Sequence, residues 1–76
     1  MVWNHRILAE EYEGEVYFSI YEVYYKKSKP VSYTSHAVNV GGENIESIIW
    51  TLDKMKECTK KPILWAGDKF PQIYKK

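Results

Sequence analysis

The stretch Glu15-Val16-Tyr17-Phe18-Ser19-Ile20-Tyr21-Glu22-Val23-Tyr24-Tyr25-Lys26 carries the reading of this chain. Val16, Phe18 and Ile20 alternate with Tyr17, Ser19 and Tyr21, a period of two that identifies a β-strand with apolar side chains on both faces. Six of the seven tyrosines lie between Tyr12 and Tyr33, so the aromatic content is concentrated in and around this strand. One amphipathic helix can cover one face of a sheet. The other face is then expected to present rings to solvent, a partner or a ligand.

Upstream, Trp3, His5, Ile7 and Ala9 alternate with Asn4, Arg6, Leu8 and Glu10. Glu13-Gly14 separates the two runs by a pair of residues suited to a tight β-hairpin, in which glycine takes a positive φ. With that pair at the tip, partners have numbers summing to 27: Ala9 faces Phe18, Ile7 faces Ile20, His5 faces Glu22 and Trp3 faces Tyr24. Downstream, Lys26-Lys27-Ser28-Lys29 reads as a loop, and Pro30 suits the start of an edge strand. Residues 31–40 are expected to form the third strand, with Tyr24 against Tyr33, Glu22 against Ser35 and Ile20 against Ala37.

Gly41-Gly42 ends that strand, and Glu43, Asn44 and Glu46 suit the positive end of a helix dipole. Ile45, Ile48, Ile49, Leu52, Met55 and Cys58 recur at three- and four-residue spacings, the stripe of an amphipathic helix over 43–60. Lys56, Lys60 and Lys61 favour its C-terminal end, and Pro62 stops it. Ile63-Leu64-Trp65 is a short apolar run, and Phe70, Pro71, Ile73 and Tyr74 make a tail expected to pack. The resulting architecture is α+β: a three-stranded antiparallel sheet (2–12, 15–26 and 31–40), helix 43–60 on one face, and a short fourth strand or extended tail near 62–66 that can add to an edge. The expected core is Ile7, Phe18, Ile20, Ala37, Ile45, Ile48, Ile49, Leu52 and Met55.

With 76 residues the chain holds a single domain, 1–76, near the lower limit for one hydrophobic core. Its 45% apolar and 28% charged content is that of a soluble globular protein, with no apolar run long enough to cross a bilayer. A net charge of +1 removes the general electrostatic argument for nucleic-acid or membrane binding. Cys58 is the only cysteine and no signal peptide opens the chain, which points to the cytoplasm. Cys58, His5 and His36 are too few for a structural zinc site, so neither metal nor cofactor is expected.

No catalytic constellation stands out, and the chain is read as a non-enzyme. His5, Glu22 and Ser35 can align across one sheet face, but the middle strand would carry the glutamate, leaving Ser35 about 9 to 10 Å from His5. Cys58 near a helix C-terminus on the apolar stripe is an ordinary core cysteine, since dipole and burial both disfavour its thiolate.

The candidate interaction face is Tyr17, Tyr21 and Tyr25, which share one side of the second strand and would bind a protein partner or a second copy. The alternative is a nucleic-acid module in which these rings stack on bases while Lys26, Lys27 and Lys29 contact phosphates. The strand-strand-strand-helix order also resembles that of the arm-binding domains of phage and transposon integrases, which lay their sheet in a DNA groove with lysines on strands and hairpin loops. The glutamates Glu10, Glu11, Glu13 and Glu15 oppose it. Finally, Trp3-Asn4-His5-Arg6-Ile7, Ile20-Tyr21-Glu22-Val23-Tyr24-Tyr25, Trp50-Thr51-Leu52-Asp53-Lys54-Met55 and Lys61-Pro62-Ile63-Leu64 together resemble small bacterial proteins of uncharacterised function. That resemblance implies a cytoplasmic single-domain protein and carries no site residues.

Overall fold

The computed structural model describes residues 2–75. Strands β1 (Val2–Tyr12), β2 (Glu15–Lys26) and β3 (Lys29–Tyr33) precede helix α1 (Ile45–Lys56), a 3-10 turn over Glu57–Lys60, strand β4 (Leu64–Trp65) and a second 3-10 turn over Gly67–Lys69. The fold is α+β. The sheet has four strands in the order β3-β2-β1-β4, with the short C-terminal strand added to the β1 edge, and it is mixed instead of wholly antiparallel: β4 runs parallel to β1 while the other pairs are antiparallel.

The first hairpin forms in the expected register, with Ala9 opposite Phe18, Ile7 opposite Ile20 and Trp3 opposite Tyr24. Its tip is a two-residue turn with positive φ at both positions, Glu13 at 52° and Gly14 at 80°, the geometry whose twist matches that of the flanking strands.

The second hairpin departs from expectation. Its turn is also two residues, Lys27 (φ 52°) and Ser28 (φ 66°), so Lys26 pairs with Lys29 instead of Val31. After a bulge between Tyr24 and Tyr25, Tyr24 pairs with Ser32 and Val23 with Tyr33. A one-residue slip moves a side chain to the opposite face, so Tyr33 joins the side of Val23 and Tyr21. Regular pairing stops at Tyr33 instead of Val40. The Thr34 N–H donates to Glu22 O at 3.0 Å and the Val38 N–H to Ile20 O at 2.9 Å. Antiparallel donors should be two residues apart, so two extra residues bulge outward here, and Ser35, His36 and Ala37 are exposed. Ala37 therefore does not cover Ile20.

Asn44 caps α1, its side-chain oxygen accepting from the Ser47 N–H at 2.9 Å, with Glu46 in the first turn and Lys54 and Lys56 in the last. A side chain at Gly42 would place its Cβ 2.7 Å from that of Ser47, so the approach to the cap requires glycine. The α-helical part is shorter than the expected 43–60, because the chain tightens into the 3-10 turn before Pro62.

The core lies mainly on the side of the sheet opposite α1. Leu8, Tyr21, Val23 and Leu64 form it, with Tyr25, Tyr33, Ala66 and Phe70 packed around them. Of the expected core only Met55 is buried; Ile7, Ile20 and Ile48 are half-buried, and Phe18, Ala37, Ile45, Ile49 and Leu52 are exposed. The helix meets β1 through its C-terminal end, where Met55 and the following Cys58 are buried, and the rest of its apolar stripe overhangs.

Candidate interaction surface

The face bearing Tyr17, Tyr21 and Tyr25 is not one open platform. Tyr33, brought there by the register of the second hairpin, sets its ring edge-on to Tyr21 at 5.5 Å, and Phe70 lies 4.7 Å beyond it. The Gly67 N–H donates to the Tyr33 hydroxyl at 2.7 Å, pinning the C-terminal segment across this side. Tyr21 is left 9% exposed, and burial pushes its phenol above the usual value. Tyr25 is half-buried and its hydroxyl accepts from Arg6 Nη1 at 2.6 Å. Only Tyr17 remains exposed; it pairs with Glu10 and donates to Glu15 Oε2 at 2.8 Å. Lys26 and Lys29 are exposed and face each other across their turn, at the far end of β2 from Tyr17. The three lysines are therefore remote from Tyr17, and the tyrosine nearest to them is the half-buried Tyr25.

The open apolar surface is on the helix side. Ile7, Ile20, Val40, Leu52, Met55 and Cys58 line a groove of about 420 Å³ between sheet and helix, with Asp53 and Lys56 on its rim. Ile45 (67% exposed), Ile49 (53%) and Leu52 (50%) continue this surface along α1 at four- and three-residue spacing. Phe18 (51%) extends it along β2, two residues from Ile20, its ring edge-on to Tyr74 at 5.4 Å. Tyr74 in turn stacks edge-on to Trp65 at 5.0 Å. Scattered exposed apolar residues are ordinary, whereas apolar side chains gathered on one side of a fold make that side the candidate contact surface.

Local structure builds this surface. The α1 stripe is apolar over its whole length, yet the bulge at 35–37 leaves no strand beneath its first turns. The C-terminal hairpin, with the Trp65 N–H donating to Gln72 O and the Tyr74 N–H to Ile63 O, both at 2.8 Å, occupies the β1 edge and covers the tyrosine side instead.

The polar candidates do not converge on a reaction centre. His5 and Glu22 are register partners, but Glu22 Oε1 accepts from the Tyr24 hydroxyl at 2.9 Å and Ser35 lies in the exposed bulge. His5 is buried with Trp3 edge-on at 5.2 Å, and its pKa is lowered from 6.5, first by burial, with Glu22 opposing and Lys54 adding to the effect. Cys58 is fully buried and burial pushes its thiol up. Among the described residues no group of three or more histidine, cysteine or carboxylate side chains is placed to hold a metal ion, and no helix is long and apolar enough to cross a membrane.

The lowered His5 pKa has a pH consequence. Below 6.5 the unfolded chain takes up a proton that folded His5 resists, so stability is full above that value and is lost as pH falls toward the lower folded-state pKa. Urea midpoints measured from about pH 8 down to about pH 5 are expected to fall, and His5→Gln should flatten the upper part of that decline. A native profile rising on acidification would contradict the burial argument.

Comparison with known proteins returns no match to a family model, a curated protein or a solved structure. The surface is therefore defined by its own residues. The sequence contains every residue of it, because the helical stripe is legible, but reading the stripe as core conceals its exposure.

Proposed function

We propose that this chain is a small non-enzymatic interaction protein that self-associates through the helix-side apolar surface. The observation that carries the reading is a twelve-residue helix with one buried residue, Met55, and an apolar stripe half or more exposed at Ile45, Ile49 and Leu52. Helices of this length draw most of their stability from packing an apolar face, and here most of that face is only partly covered by its own chain.

Size and shape support a second copy as the occupant. The chain exposes 5937 Å², where about 4,850 Å² is typical of a folded monomer of 9.0 kDa. Its radius of gyration is 13.0 Å, against about 11.4 Å for a compact domain of this length. The surplus area is comparable to the roughly 800 Å² that each partner buries in a standard interface. Asp53 and Lys56 give the groove rim both signs of charge, so a two-fold arrangement can set Asp53 of each copy against Lys56 of the other. Phe18, Ile49 and Leu52 would supply the anchors.

Sedimentation equilibrium tests the proposal. The native protein is expected at twice 9.0 kDa at micromolar concentration, and Leu52→Asp at 9.0 kDa with unchanged circular dichroism, because the substituted side chain is half exposed in the monomer. A native protein that on its own stays at 9.0 kDa at every concentration, even one that binds some other protein, would overturn self-association.

A further inference from the structure

On the tyrosine side, beyond the part covered by the C-terminal segment, Arg6 is buried to 7% exposure without a carboxylate partner. Its Nη1 donates to the Tyr25 hydroxyl at 2.6 Å and its Nη2 to Pro62 O at 2.7 Å, while Nε is buried and unpartnered. The buried Oδ1 of Asn4, two residues away on the same face, is also unpartnered. Among the described residues the one ion pair is Lys60 with Glu57, so the guanidinium charge is balanced only by neutral oxygens. Removing an unpaired charge from water is costly, and such groups are usually neutralised by a counter-charge.

Arg6 opens onto a pocket of about 340 Å³ whose wall also contains Lys27, Lys61, Asn4, Tyr25 and Val2 and no acidic side chain. Three cations thus converge on one concavity in a chain whose net charge is only +1. The β2–β3 turn delivers Lys27, the segment after the 3-10 turn delivers Lys61, and β1 delivers Arg6 to the same pocket.

We propose that this pocket binds a phosphate monoester, with the dianionic phosphoryl group held by Arg6, Lys27 and Lys61 and the organic part against Tyr25 and Val2. A dianion suits three cations better than a single carboxylate does, and a guanidinium with two donors already fixed is pre-organised for charge-assisted hydrogen bonding. The volume exceeds that of a bare phosphate and reaches the lower range of small-molecule sites. Nucleic acid fits less well, because a strand needs a succession of phosphate contacts, and the far end of the same hairpin carries Glu10, Glu11, Glu13 and Glu15.

Titration of the ¹⁵N-labelled protein with inorganic phosphate, a nucleoside monophosphate and a mixed-sequence single-stranded oligonucleotide tests the site. Saturable shifts at Arg6, Lys27 and Lys61 are expected with the first two, tighter for the mononucleotide. The double variant Lys27→Ala/Lys61→Ala, whose side chains are exposed and not needed for folding, is expected to weaken mononucleotide binding at least tenfold. No saturable shift at about 10 mM, where a millimolar site would be mostly filled, overturns the proposal. So does binding unchanged in the double variant. An oligonucleotide that binds far more tightly than the mononucleotide, with affinity falling steeply in salt, overturns it in favour of a nucleic-acid surface.

Discussion

Leu8→Ala is expected to cost about 3 to 4 kcal/mol, a large fraction of the total stability of a domain this size. Leu8 is fully buried on the strand with a neighbour on each side, β2 and β4, and it shares a cluster with Tyr21, Val23 and Leu64. The cavity cannot readily collapse, because Tyr21 is held from above by Tyr33 and Phe70. At about 4 to 8 °C per kcal/mol, the melting temperature should fall by about 12 to 32 °C, measurable by calorimetry or circular dichroism. Ile45→Ala, in protein dilute enough to be monomeric, should change stability by no more than about 0.5 kcal/mol, since that side chain is two-thirds exposed. If the Ile45 variant lost more than the Leu8 variant, the core would lie on the helix side after all.

That contrast shows what the chain makes legible. Glu13-Gly14 sets the first hairpin because a two-residue turn with positive φ is a local property, and the register of eleven flanking pairs follows from it. Asn44 and the lysines of the last helical turn are equally local, and α1 begins at the residue after its cap. The departures arise where no residue type announces the local geometry or where a distant segment decides. Lys27 and Ser28 adopt positive φ without a glycine to announce it, and the resulting slip carries Tyr33 to the other side of the sheet. Nothing in Leu64-Trp65 signals that the pair will lie parallel to Leu8-Ala9, more than fifty residues away, and bring Phe70 over the tyrosines. A helical stripe reads identically whether it meets a sheet of its own chain or a second molecule. For the same reason Arg6 passes unnoticed in sequence as the polar member of an alternating strand.

The C-terminal segment determines which side of the sheet is available, and two substitutions separate its contacts. Tyr33→Phe removes only the acceptor for the Gly67 N–H, in an exposed setting, and should cost about 0.5 to 1.5 kcal/mol. Phe70→Ala removes the ring that packs on Tyr33 at 4.7 Å; because Phe70 is half-buried, the loss should be about 2 to 3 kcal/mol, below that of a fully buried phenylalanine. The second variant should also relieve the burial that raises the Tyr21 phenol, returning it toward 10.0 in a site-resolved NMR titration, whereas Tyr33→Phe should leave it raised. Equal stability and an unmoved Tyr21 in Phe70→Ala would mean that the segment does not seal this side. With the seal broken, Tyr17, Tyr21 and Tyr25 become the platform that their spacing in the strand suggests. In the intact protein Tyr21 is core and Tyr25 is half-buried, only Tyr17 stays open, and the apolar side chains left exposed on the other side of the sheet are Phe18, Ile49 and Leu52.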